Sequence, residues 1–166
     1  MRGWLLDTNV IASLAAPTGA PSVKAWAAGQ DEGRLFLSVI TFAEYDKGIH
    51  QLPDEDALRG RYAANRDAIE ARFAGRVLPL SNAVVRRWGA MAGRIKRDTG
   101  HPPSVIDTML AATAIEAQLY LVTRNTKDVQ HTGAAVFNPW QDDSSRFPLI
   151  ESARQRPTRP RDQAGS

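Results

Sequence analysis

Five short runs, apolar from end to end, constrain the fold of this chain more than any other feature. Trp4-Leu5-Leu6, Leu35-Phe36-Leu37, Val77-Leu78-Pro79-Leu80, Leu119–Val122 and Ala135-Val136-Phe137 do not alternate with polar residues. A strand with one wet face alternates, whereas a strand that is apolar throughout is covered on both faces. Helical periodicities separate the runs. Val10, Ile11 and Leu14 follow the cap-type residues Asp7-Thr8-Asn9, and Ile40, Ala43 and Ile49 follow Ser38. Leu58, Tyr62, Ile69 and Phe73 mark a long helix over 54–74, stopped by Gly75. Val84, Trp88, Met91 and Ile95 share a face behind Ser81, and Ile106, Leu110 and Ile115 follow Ser104. This alternation predicts a three-layer α/β/α sandwich on a short parallel sheet of four to five strands. In such sheets functional groups collect at the carboxyl ends of the strands.

Composition narrows the chemistry. The chain has no cysteine, which excludes a disulfide scaffold, a zinc ribbon and a thiol nucleophile. Its three histidines, His50, His101 and His131, are too widely spaced for a histidine-rich metal site. The formal charge is +3, and two of those charges come from the last sixteen residues. The main body is therefore near balance and does not present one overwhelming basic face. We read residues 1–142 as one domain and 143–166 as a basic tail of Arg and Pro with the composition of a flexible segment, in which Phe147, Leu149 and Ile150 can dock locally. No apolar stretch approaches the ~20 residues needed to span a bilayer, so the expected location is the cytoplasm.

The acids lie where the topology concentrates function. Asp7 ends the first run, Glu44 is a turn into the helix after the second, Asp107 is in the first turn of the helix before the fourth, and Asp128 follows the fourth with Asn125 between. Carboxylates converging without histidine or cysteine make an all-oxygen site of the kind Mg²⁺ or Mn²⁺ prefers. The plain alternative is helix capping: Thr41-x-x-Glu44 has the form of a capping box, Ser104-x-x-Asp107 is a looser version, and Asp7 precedes a helix. Taken singly, Glu44 and Asp107 favour capping; four acid positions at one sheet edge favour a site.

The same segments carry a family resemblance. Leu5-Leu6-Asp7-Thr8-Asn9-Val10 resembles the opening of PIN-domain ribonucleases, and Ser38-Val39-Ile40-Thr41-Phe42-Ala43-Glu44, with Gly48 beyond it, resembles their second motif. Ile106–Ala114 is similar to the third and Leu121–Val129 to the fourth, while Asn138-Pro139-Trp140 resembles the ending of the VapC and FitB toxin group, which includes plasmid-stability proteins. The resemblance runs in order from about Leu5 to Trp140. It implies a Mg²⁺- or Mn²⁺-dependent endoribonuclease toxin of a type II toxin–antitoxin pair, hydrolysing RNA through a metal-activated water. It also implies a homodimer and inhibition by a small cognate antitoxin. The metal ligands it points to are Asp7, Asp107 and Glu44, with Asp128 or Asn125 at the fourth catalytic position and Thr8, Asn9, Thr123 and Asn125 in support.

Other readings compete. A catalytically degenerate PIN-like domain would serve as a protein- or RNA-binding module, and the neutral Asn125 gives it room. A haloacid-dehalogenase-type phosphatase also has an aspartate after its first strand, but needs a second acid where this chain has Asn9. Arg86, Arg87, Arg94, Lys96 and Arg97 form either a solvated helix face, the favoured reading, or a contact for RNA phosphates. Trp26 and Tyr62, on helices over 21–28 and 54–74, belong either to the core or to an association surface.

Overall fold

The computed structural model describes residues 1–150 and contains the expected sandwich. Its elements are β1 (Trp4–Leu6), α1 (Thr8–Ala15), α2 (Pro21–Ala28), β2 (Leu35–Ser38), α3 (Val39–His50), α4 (Ala57–Arg72), β3 (Val77–Leu78), α5 (Asn82–Thr99), α6 (Val105–Glu116), β4 (Tyr120–Val122), α7 (Thr126–Val129) and β5 (Val136–Phe137). The strands form one parallel sheet in the order β3-β2-β1-β4-β5. Trp4 lies opposite both Leu35 and Tyr120, and Leu6 opposite Val122.

The sheet is apolar on both sides because each face supports its own core. Leu5 and Leu121 point into one cluster with Met91 and Ile95 of α5 and Leu110 of α6. Trp4, Leu6 and Val122 point into the other, with Val10 and Ile11 of α1, Val23 and Trp26 of α2, and Phe73. Neighbouring residues of one strand therefore serve opposite cores. Trp4 anchors the second cluster, its ring 5.4 Å from Trp26 and 5.1 Å from Phe137. Trp26 thus belongs to the core, whereas Tyr62 is 46% exposed. The stripe of α4 is buried only at Phe73, just past the end of the helix, and partly at Ile69; Leu58 and Tyr62 stand open.

No helix among the described residues is long and apolar enough to cross a membrane. The arginines of α5 are largely engaged within the fold: Arg87 pairs with Glu116, Arg97 with Asp98, and Arg94 donates to the His131 and Thr132 carbonyls.

Packing continues past the boundary read at residue 142. Phe147 lies 4.9 Å from the Phe137 ring and 5.3 Å from Tyr120. The Tyr120 hydroxyl donates to the Pro148 carbonyl at 3.1 Å, and the Ile150 amide donates to the Met1 carbonyl at 2.8 Å. The segment therefore covers the open side of the sheet beside β4 and β5. The rest of the Arg/Pro stretch, 151–166, lies outside the described residues. A chain ending at Asp143 should be about 2–3 kcal/mol less stable than one ending at Ile150, less than a full Phe→Ala loss because Phe147 is half-buried. Melting curves of the two would show a gap of roughly 5–10 °C; equal curves would make the contact dispensable.

Candidate active site

The strand order reverses between β1 and β4, since successive connections run outward from this pair in opposite directions. The carboxyl ends of these two strands form the crevice where open α/β sheets place their ligands. Asp7 follows β1 and Thr123 follows β4, and they meet there: the Thr123 hydroxyl donates to Asp7 Oδ2 at 2.6 Å. Asn9 Nδ2 donates to the same oxygen at 2.5 Å and to Thr123 Oγ1 at 3.1 Å. The Asn125 amide donates to Thr123 Oγ1 at 2.9 Å, and the Arg124 amide to Asn9 Oδ1 at 3.3 Å. Asp7 occupies the N-cap position of α1 but makes no side-chain capping bond. Its carboxylate is turned into the crevice instead.

Glu44 is not a cap either. Strand β2 runs into α3 without a loop, so the cap is Ser38, whose hydroxyl accepts from the Ile40 amide. Thr41 is already inside the helix, and its buried hydroxyl has no hydrogen-bond partner among the described residues. The capping-box reading of Thr41-x-x-Glu44 is thereby overturned, and Glu44 faces α1, where the Thr8 hydroxyl donates to its carboxylate. Asp107 keeps its capping role. Ser104 caps α6 by accepting from the Asp107 amide, and the Ser104 hydroxyl donates to the Asp107 carboxylate. Ser104 is the site residue that sequence reasoning saw only as a cap; its neighbour Asp107 was the available signal.

Asp7 is 6% exposed. Burial pushes its carboxyl above the ordinary aspartate range, against the hydrogen bonds from Thr123 and the Thr8 backbone, and the charges of Glu44 and Asp107 push it further. Glu44 and Asp107 are thus each within electrostatic reach of Asp7. Asp128 is not brought into that set: it is exposed on the short α7, its amide bonded to the Asn125 carbonyl.

The folded state holds the Asp7 proton more tightly than the unfolded chain does. Its contribution to stability is full below the unfolded pKa and is lost as pH rises through the folded one, so the ionised group is a cost at neutral pH. Without metal, Asp7→Asn should melt higher than wild type at pH 7, and the gap should close as the pH falls below the ordinary aspartate range. Melting temperatures of both proteins across pH 3–8 would show this; a gap that widens on acidification would contradict it.

The donor set suits a hard divalent ion. It is all oxygen, and its most buried member carries a charge that burial and like neighbours disfavour. As the side chains stand, no group of three His, Cys, Asp or Glu among the described residues is drawn together around one metal position. An ion would compete with the Thr8 and Ser104 hydroxyls for Glu44 and Asp107.

Residues 4–134 match the model of the PIN domain. The chain belongs to the PIN domain family. This PIN domain is 33% identical over 138 residues to Toxin FitB of Neisseria gonorrhoeae, covering 83% of this chain and 99% of FitB. It is 32% identical over 139 residues to VapC ribonuclease Y4jK of Sinorhizobium fredii, covering 82% of this chain and 97% of that protein. Among solved structures, FitAB bound to an IR36 DNA fragment superposes on it with a TM-score of 0.74 at 31% identity, covering 84% of this chain and 97% of that one. The expected fold and family are thus both found, in the VapC/FitB toxin group that the motifs resemble.

Proposed function

We propose that this chain is a Mg²⁺- or Mn²⁺-dependent endoribonuclease, the toxin of a type II toxin–antitoxin pair. It works in the cytoplasm as a homodimer and is restrained by a small cognate antitoxin. The observation that carries the reading is Asp7, a buried carboxylate at the switch point of the sheet with two further carboxylates acting on it. The relatives named FitB toxin and VapC ribonuclease support the same activity.

Asp7 and Asp107 are the principal ligands and Glu44 completes the set. A bound divalent ion supplies an activated water and neutralises charge on the phosphodiester in the transition state. Thr123 and Asn9 fix the Asp7 carboxylate through hydrogen bonds to one of its oxygens. Thr8 and Ser104 hold the carboxylates of Glu44 and Asp107, which with Asp7 would hold the ion. Asn125 positions Thr123 through its backbone amide, and Asp128 serves at most as an outer contact at the rim. In-line hydrolysis leaves 5′-phosphate and 3′-hydroxyl ends. End analysis of cleaved single-stranded RNA tests this, since 2′,3′-cyclic phosphate ends would mean that the RNA's own 2′-hydroxyl is the nucleophile.

A further inference from the structure

One cleft of the molecule shares its walls with the catalytic cluster. It has a volume of about 630 Å³ and lies between α1, α3 and α4, lined by Thr8 and Ala12, by Glu44 and Gly48, and by Arg61 and Tyr62. That volume falls in the range of sites that take small ligands. A neighbouring cleft of about 490 Å³, between α1, α2 and α4, is lined by residues such as Leu14, Ala27 and Ile69 and includes none of the three acids.

Two features of α4 bear on what the first cleft can hold. Its other arginines are paired: Arg59 with Asp54, Arg66 with Asp46 and Asp67, and Arg72 with Glu32. Arg61 has no acidic partner among the described residues and faces the cleft. Beside it, Tyr62 leaves 46% of its surface open on a helix otherwise rich in polar groups. A free guanidinium and an open aromatic ring at adjacent positions of α4, in a cleft that Glu44 of α3 also lines, match a phosphate and a neighbouring base. Ala12 and Ala15 of α1 and the adjoining Ala16 line a second side, and α3 supplies the third with Glu44, Tyr45, Gly48 and Ile49, open space lying beside Gly48.

We propose that this cleft is a subsite for single-stranded RNA flanking the cleaved phosphate, with Arg61 on a backbone phosphate and the Tyr62 ring stacked on a base. The inference rests on the ribonuclease reading, because a strand reaching Glu44 must leave the crevice along some wall and this cleft is lined by Glu44 itself. It makes Arg61 and Tyr62 determinants of substrate affinity, distinct from the carboxylates that carry the chemistry.

The test is binding of a fluorescein-labelled, mixed-sequence 12-nucleotide single-stranded RNA to the full chain in EDTA, alongside cleavage kinetics with metal. Tyr62→Ala should weaken binding about 5- to 100-fold, and Tyr62→Phe should restore it to within about twofold. Arg61→Ala should lower the slope of log affinity against log salt by about 0.7, while Arg61→Lys keeps it. In cleavage both alanine variants should raise KM and leave kcat within about twofold, and their melting temperatures should stay near wild type.

Wild-type affinity in both alanine variants would overturn the subsite, whether or not the protein cleaves. RNA binding with these dependences but no cleavage would uphold the subsite and overturn the ribonuclease reading. Loss of a dimeric mass in Tyr62→Ala with unchanged RNA affinity would assign the surface to a second copy of this chain and overturn the proposal.

Discussion

Asp7→Asn should cleave single-stranded RNA on the order of a thousandfold more slowly than wild type, a barrier increase of about 4 kcal/mol, while remaining folded. Asparagine keeps an oxygen that can accept from Thr123 and Asn9 and fills the same space, so the crevice retains its shape. What it removes is the buried negative charge, the group that most strongly calls for a cation. Losing that charge weakens both the hold on the ion and the activation of water. Asp128→Asn, at an exposed position outside the charge cluster, should stay within about threefold of wild type. Initial rates for the two variants at saturating Mn²⁺ separate a three-acid site from a four-acid one. Equal losses in both would return Asp128 to the catalytic set.

The fold and the centre of the site are legible from particular residues. Trp4-Leu5-Leu6 followed by Asp7 states a doubly covered strand with an acid at its carboxyl end, and parallel pairing with β4 then brings Thr123 to that acid. Glu44 was ambiguous because Thr41-x-x-Glu44 and a capping box are the same string. The ambiguity disappears only when β2 is seen to pass directly into a helix capped by Ser38, which leaves no helix start at Thr41 for Glu44 to cap. Asp107 shows the opposite outcome, since capping and site roles coexist through Ser104.

Periodicity failed where it carries no information about length of contact. The stripe on α4 is real, yet only its end meets the core, and a 3.6-residue repeat cannot tell which half of a helix overhangs the sheet. That overhang leaves Tyr62 and the neighbouring Arg61 exposed. The local docking expected of Phe147, Leu149 and Ile150 is found, and its partners are set by the fold. An Arg/Pro-rich composition does not say where a single aromatic will dock, and Phe147 finds Phe137 and Tyr120 in three dimensions, not in sequence.

Metal control of cleavage tests the central claim most directly. Wild-type protein, stripped with EDTA and assayed under single-turnover conditions on single-stranded RNA, should lose activity by on the order of a thousandfold. Mg²⁺ or Mn²⁺ should restore the rate and raise the melting temperature of the wild type, with little effect on either property of Asp7→Asn. Cleavage that survives EDTA, or that metal restores equally to wild type and Asp7→Asn, would mean that these three carboxylates are not the catalyst.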